Sequence, residues 1–259
     1  MNILIEKMAT LLEILAWCEQ TLQVSQFKDY CPNGLQIEGK AEVQTLVSSV
    51  TASQAAIEQA LDLRADALLV HHGYFWKGEP SPLIGIKGKR IKQLMQANVS
   101  LIAYHLPLDA HPTLGNNAAL AELLGINITG ALDSSERFPI GNVGELETAL
   151  TPDQFTQRIS DVLGQQPIHI ASGKSTIQKV GFCTGGAQDF LYKAAALDCD
   201  AYISGEVSER TYHEALEYGV DYFAAGHHAT ERYGVQRLAE ALVKQFQLTH
   251  HYVELPNPI

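Results

Sequence analysis

Six of the ten histidines fall in three short windows: His71-His72, His105 with His111, and His227-His228. Each window follows an apolar run that reads as a buried strand, and ligands gather beyond the strand ends of open α/β sheets. Two windows also carry a carboxylate. Glu231 lies four residues after His227 at a predicted helix start, where i and i+4 side chains share a face. That spacing suits one ion touched by both, or a carboxylate bridging two ions. Asp109 follows His105 by four, but Pro107 stands between them and Ala-His-Pro follows, so both are expected in a loop. His71 and His72 are adjacent, and adjacent strand residues point to opposite faces. At a strand end, each would then serve a different ion of a pair. His71, His72, His227, Asp109 and Glu231 make three imidazoles and two carboxylates without sulfur, a set that suits zinc, manganese, iron, cobalt or nickel. Five ligands over-supply one catalytic zinc. They suit two divalent ions, as in many hydrolases.

The remaining candidates are weaker. His169, His213, His250 and His251 lack a convincing carboxylate partner or strand-end context and read as surface or hydrogen-bonded residues. His111 and His228 are candidates for supporting the ligands through hydrogen bonds. Asp66, Asp200 and Asp221 each precede a strand and read as capping or turn residues. Glu206 occupies a strand end too, and there it either faces the site or is a solvated loop carboxylate. Gly185-Gly186 lacks the G-x-x-x-x-G-K-[ST] pattern, so a tight turn is the better reading than a phosphate cradle. Cys183 has no histidine placed beside it, which argues against a thiol nucleophile. Ser204-Gly205 does not form G-x-S-x-G, so no hydrolase triad is supported.

These residues need elements to position them. Residues 8–22 read as an amphipathic helix. Strand 43–50, helix 53–64 capped by Ser53, strand 66–70, helix 87–97, strand 99–104 and helix 116–124 follow in order. The stretch 125–142, with Gly125, Gly130, Pro139 and Gly141 around the polar run 133–137, reads as a boundary. Thr151-Pro152 then opens helix 152–163. Strands 167–171 and 179–183, helix 189–197, strand 200–204, helix 207–218, strand 221–225 and helix 230–246 complete the chain. Continuous apolar strands alternating with helices predict an α/β protein whose sheets are covered on both faces. The expected domains are 1–128 and 129–259. Segments 60–73, 195–206 and 215–228 each run helix, turn, Asp, apolar strand, then Gly, His or Glu. They read either as ordinary βα units or as a duplicated α/β half with a site at equivalent strand ends.

Composition narrows the function. Eighteen basic residues against 29 acidic ones give a formal charge of −11, a field that repels nucleic-acid polymers and anionic membranes. No apolar run approaches the ~18–20 residues of a membrane span. The amino terminus carries Lys7 but no signal-peptide pattern. The four cysteines, at 18, 31, 183 and 199, form no C-x-x-C pair and read as reduced thiols of a cytoplasmic protein, mostly core filler.

Five stretches carry a family likeness: PNGLQIEGK (32–40), DALLVHHGYFWKGE (66–79), AYHLPLDAHPTLGNNA (103–118), ISGEVSERTYHEA (203–215) and AAGHHATERYG (224–234). Together they resemble the Nif-three-like family, also called the GTP cyclohydrolase 1 type 2 homologues, in its bacterial YbgI type. The resemblance runs from about residue 30 to the Pro-Asn-Pro near the carboxyl terminus. It implies two similar α/β domains with mixed sheets covered by helices, the Nif-three-like fold, and a metal site shared by both halves. It assigns His71, His72, Asp109, His227 and Glu231 as ligands of two divalent ions, with His105 close to them. It also implies a ring-shaped homohexamer with sites facing an interior cavity. The chain departs from the broader family at Pro107 and at His228, where tyrosine is more usual.

Two functions of different class fit these observations. One is a metal-dependent hydrolase of a small anionic compound, such as a nucleotide or pterin precursor, with His105 moving protons. The other is a non-catalytic metal-binding or scaffold oligomer. Two divalent ions against Asp109 and Glu231 keep a net positive charge, which favours an oxyanion or phosphate. Ligand positions left open to water would favour the hydrolase.

Overall fold

In the computed structural model, which describes residues 9–259, contacts divide the chain into two units. Lys7 and Met8 lie outside the described residues. The first unit comprises the described residues up to Leu108 together with Val235–Leu255, and the second comprises Asp109–Gly234 with Pro256–Ile259. The division therefore falls about twenty residues before the glycine-rich stretch that the sequence suggests as a boundary at 128/129. The reason lies in packing. Helix Asn116–Leu124 buries Leu120, Ala121 and Leu124 against Phe155, Ile159 and Phe223 of the second unit. The stretch itself contains a strand, Ile126–Ala131, paired with Asn142–Leu150.

The first unit holds β1 (Ala9–Thr10), α1 (Leu11–Leu22), β2 (Gly34–Ile37), β3 (Glu42–Val43), β4 (Thr45–Thr51), α2 (Gln54–Asp62), β5 (Ala67–His72), α3 (Gly85–Ala97) and β6 (Ser100–Ala103). A short α4 (Leu106–Asp109) follows, its last residue opening the second unit. The second unit continues with α5 (Asn116–Leu124), β7 (Ile126–Ala131), β8 (Asn142–Leu150), α6 (Pro152–Leu163), β9 (Ile168–Ile170), β10 (Ile177–Phe182), α7 (Leu191–Ala196), β11 (Ala201–Ser204), α8 (Glu209–Tyr218) and β12 (Asp221–Ala224). The chain returns to the first unit within α9 (His227–Phe246), and β13 (Thr249–Tyr252) follows there.

Each unit is built on a mixed sheet. The first has the order β13-β4-β5-β6-β2, parallel except for β2, which runs antiparallel to β6. The second has the order β7-β8-β10-β11-β12-β9, with β10, β11 and β12 parallel and the flanking strands antiparallel. Strand alternation sorts the core. In the second sheet Ala201, Ile203 and Phe223 face a cluster with Phe155 and Ile159, while Tyr202, Tyr222 and Ala224 face one with Leu191 and Ala215. In the first, Val47, Leu68, Val70 and Leu101 pack with Ile57, Ile91 and Leu94 of α2 and α3.

Local chemistry fixes the element starts. Ser53 caps α2 by accepting from the Ala56 N–H at 3.2 Å. Thr151 and Gln154 cap α6 reciprocally, with Pro152 in its first turn. Both caps were legible in sequence. The predicted loop around Pro107 is instead the single turn α4, in which the Leu108 N–H donates to the His105 carbonyl at 2.8 Å. Proline is tolerated in a first helical turn, where its missing N–H leaves no bond unmade and its fixed φ suits the helix.

Asp66, Asp200 and Asp221 act as the sequence suggests. Asp66 accepts the Gln44 and Thr45 N–H groups at the start of β4, at 3.0 and 2.9 Å. Asp200 does the same for Gln178 and Lys179 at the start of β10, at 3.0 and 2.9 Å. Asp221 accepts from the Ser172 N–H and hydroxyl and pairs with His169 at 2.8 Å. His169 thus has a carboxylate partner after all, supplied from the neighbouring strand 52 positions away.

Candidate metal centre

The carboxyl ends of β5 and β6 carry the histidines of the first unit. His71 and His72 close β5, and His105 stands two residues beyond β6. Their rings gather: centroids lie 4.6 Å apart for His71–His72, 5.2 Å for His71–His105 and 5.9 Å for His72–His105. Each offers one ring nitrogen within 4.8 Å of the other two. Strand alternation does not keep His71 and His72 apart, because they sit at the strand's last two positions.

Outer partners orient these rings. Nδ1 of the buried His71 lies 2.8 Å from the Tyr104 carbonyl, which can only accept, so Nδ1 carries the proton and Nε2 the lone pair. Nδ1 of His72 meets the Thr51 hydroxyl at 3.2 Å. Nδ1 of His105 meets Asp29 at 2.8 Å. Asp29 also accepts from the Asn33 amide at 2.8 Å and the Leu106 N–H at 3.0 Å, while Asn33 accepts the His105 N–H at 2.7 Å. Burial alone would raise the Asp29 carboxyl, but bonds and charge from His105, then Asn33 and Tyr30, hold it below the usual range. Cys31 lies in the same neighbourhood. Burial and the Asp29 charge push its thiol up to about 12, far from a reactive thiolate.

In the second unit α9 opens at His227, and the predicted i, i+4 pairing is realised: Nε2 of His227 lies 3.0 Å from Glu231. Nδ1 of His227 meets Glu206 at 2.7 Å. Burial alone would lower His227, but the bonds and charges of Glu231 and Glu206 push it up to about 9. Glu206, left open in sequence between a site residue and a solvated loop carboxylate, is the acceptor behind His227. Asp109 is buried and accepts from the Asn116 amide at 2.8 Å and the Thr184 hydroxyl at 3.4 Å. Burial and then the charges of Asp109 and Glu231 drive the Cys183 thiol well up.

Gly185 is the tight turn the sequence suggests. Its φ of 69° is left-handed, and a methyl group there would overlap the Glu231 carboxylate. Its N–H donates to Thr230 at 3.1 Å, and its carbonyl accepts from Gly205 and Ser204. His111 accepts the Leu114 N–H within its own loop at 3.0 Å. The His228 backbone donates to the Ile259 carbonyl at 3.0 Å. Sequence reasoning missed Asp29, Asn33, Asn116 and Thr184, which no histidine or ligand spacing marks.

These donors fit divalent ions. Neighbouring ligand atoms on a tetrahedral zinc, each at ~2.0–2.2 Å from the metal, sit roughly 3.3 Å from one another. His227 and Glu231 are already at 3.0 Å. The close approach of Gly185 leaves the Glu231 carboxylate space that any side chain would take.

Known proteins resemble this chain over nearly its whole length. The Duf34/NIF3 (NGG1p interacting factor 3) family model matches residues 9–258. A Vibrio cholerae protein named GTP cyclohydrolase 1 type 2 homolog is 49% identical over 250 residues, covering 96% of this chain and 99% of its own. A Pseudomonas aeruginosa protein of the same name is 47% identical over 240 residues, covering 93% and 95%. Among solved structures, protein ybgI, of unknown function, superimposes with a TM-score of 0.93 at 44% identity, covering 97% of this chain and 100% of that one. A protein from Thermus thermophilus gives 0.88 at 32% identity, covering 97% and 100%. No described helix is long and apolar enough to cross a membrane.

Proposed function

The chain belongs to the Duf34/NIF3 family, and on that premise we propose that it is a dinuclear metal protein that hydrolyses a small anionic compound. Its ligands in this reading are His71, His72, Asp109, His227 and Glu231, the set the family resemblance assigns.

The observation that carries the reading is a shared orientation. His71, His72, His105 and His227 each engage Nδ1 with an outer partner: the Tyr104 carbonyl, Thr51, Asp29 and Glu206. Metal-ligating histidines commonly donate one ring N–H to such a partner, which fixes the tautomer and presents the other nitrogen. Bound divalent ions supply Lewis acidity and make water a better nucleophile at neutral pH. In that setting Glu206 keeps the Nδ1 proton of His227, and His227 presents Nε2 beside Glu231. His105 moves the proton, and Asp29 is its positioning residue, holding Nδ1 so that Nε2 gives and takes the proton.

The substrate class follows from charge. Two divalent ions outweigh Asp109 and Glu231 and favour an oxyanion or phosphate, while a formal charge of −11 repels polynucleotides. The relatives' name, GTP cyclohydrolase 1 type 2 homolog, favours a nucleotide or pterin precursor. We place the protein in the cytoplasm as a homohexamer, in keeping with the family resemblance and four unbridged cysteines.

The test is a turnover screen of metal-loaded protein against nucleotides, pterins, phosphoesters and peptides. Hydrolysis of a small anion that is lost on chelation, and lost in His105→Ala with metal retained, is expected. Full activity in His105→Ala would remove the role of that residue. Metal-replete protein that turns over none of these classes would favour the non-catalytic scaffold.

A further inference from the structure

Beside the histidine cluster of the first unit stand three aromatic side chains, the half-buried Trp76 and the exposed Tyr30 and Phe75. Trp76 lies edge-on to His105, with centroids 5.0 Å apart and planes at 89°, and 6.0 Å from His72. Tyr30 lies 6.0 Å from His105. Phe75, between Tyr74 and Trp76 in sequence, has a φ of 68°. Bulky residues seldom adopt that left-handed conformation, and it persists only where surroundings impose it.

The surroundings here are specific. Glu79 accepts the Trp76 N–H at 3.2 Å, and the Glu79 N–H returns to the Trp76 carbonyl at 3.0 Å. Lys87 bonds Glu79 at 3.3 Å and the Pro80 carbonyl at 2.8 Å, and its ammonium stands 5.8 Å from the Phe75 ring centroid. The Lys77 N–H donates to the Tyr30 carbonyl at 2.6 Å, tying the two loops together. A loop held this tightly would bury its aromatics if packing were their purpose. Tyr30 is instead 57% exposed and Phe75 36% exposed. Exposed aromatics fixed beside a cluster of ring nitrogens are a surface kept for something flat.

We propose that Trp76 and Tyr30, with Phe75 at the rim, form a stacking subsite for a planar heteroaromatic ring of the substrate, a purine or pterin, next to His72 and His105. Aromatic rings stack on one another in offset or edge-to-face geometry, and nucleobases use such platforms irrespective of sequence. An aliphatic ligand would call for Leu and Ile here instead. The inference rests on the metal-dependent reading of this cluster and names the group that sits beside it.

The test is calorimetry on the metal-loaded full chain with guanosine 5′-monophosphate and with ribose 5-phosphate, which keeps sugar and phosphate but lacks the ring. The nucleotide should bind at least about tenfold more tightly. Trp76→Leu and Tyr30→Leu should each weaken the nucleotide about tenfold, leave ribose 5-phosphate within about twofold, and leave metal content unchanged, while Trp76→Phe keeps most of the affinity. Equal affinity of the two probes for the wild type, or equal weakening of both in the Leu variants, would overturn the stacking subsite. Ribose 5-phosphate binding that survives chelation would instead count against the metal-dependent reading, so the two failures are distinguishable.

Discussion

In the first sheet β4, β5 and β6 run parallel, and β2, earlier in sequence, lies antiparallel at the edge beside β6. In the second, β10, β11 and β12 repeat that order, with the earlier β9 beside β12. Asp66 and Asp200 sit at matching positions and tie down matching backbone, two consecutive N–H groups near the start of the neighbouring strand. Beyond the strands the likeness ends. Five and six residues after Asp66 come His71 and His72; the same steps after Asp200 give Gly205 and Glu206, and after Asp221 give Gly226 and His227. The first unit therefore presents imidazoles backed by a carbonyl, a hydroxyl and Asp29, and the second presents carboxylates and an imidazole held between two of them. A repeated scaffold supplies equivalent platforms, and a few residues past each strand decide the chemistry. This supports the sharper of the two readings of the repeated segments, a duplicated α/β half.

The largest effect should come from crowding the two glycines that approach these platforms. Gly185→Ala forces the Glu231 carboxylate to move and puts a side chain at positive φ. It should cost about 3 kcal/mol and at least tenfold in metal affinity. Gly73→Ala meets the Gln36 side chain and the Ala103 Cβ but keeps an ordinary φ, so about 1–2 kcal/mol is expected. Denaturant melts with metal titrations check both. Equal effects would mean that the second platform is no more tightly built than the first.

Next in size are the carboxylates behind the histidines. Glu206→Gln should weaken metal binding about 10- to 100-fold. Asp29→Asn should retain metal and depress turnover, with a shifted pH–rate profile, because it acts through His105. If Asp29→Asn loses as much metal as Glu206→Gln, His105 is a ligand and not a proton carrier.

How far the sequence could be read follows the same division. The imidazoles and carboxylates of the site stood out by type and strand-end position, and the His227–Glu231 pairing followed from helical spacing. Asp29 did not, because its partner His105 lies 76 positions away and only the fold joins them. Asn116 and Thr184 were hidden likewise: their bonds to Asp109 join loop and helix residues with no periodic pattern. Strands β2, β8 and β13 escaped notice. β2 and β13 are four-residue edge strands, and glycine and polar residues interrupt β8. Glycines also disguised β7 as a linker.

The smallest effects belong to the shared aspartates. Asp66→Ala and Asp200→Ala should each cost about 0.5–1.5 kcal/mol, because water reaches the partly exposed strand-start N–H groups that lose their acceptor, and should not change metal content. Asp66 adds a pH dependence. Burial raises its carboxyl, but Lys40 and the Thr45 and Gln44 N–H groups outweigh that and hold it below the usual range. Its stabilisation is therefore present above the unfolded value near ~3.9 and is lost as pH falls through the lower folded value. Denaturant midpoints at pH 6 and pH 3 should differ less in Asp66→Asn than in the wild type; an unchanged difference would remove this contribution.

The central claim is that the two unlike platforms hold metal, and elemental analysis of purified protein addresses it directly. Wild-type protein should carry divalent metal approaching two ions per chain. Asp109→Asn and Glu231→Gln should each lower that content while circular dichroism shows the chain still folded. Metal content unchanged in both variants would contradict the assignment.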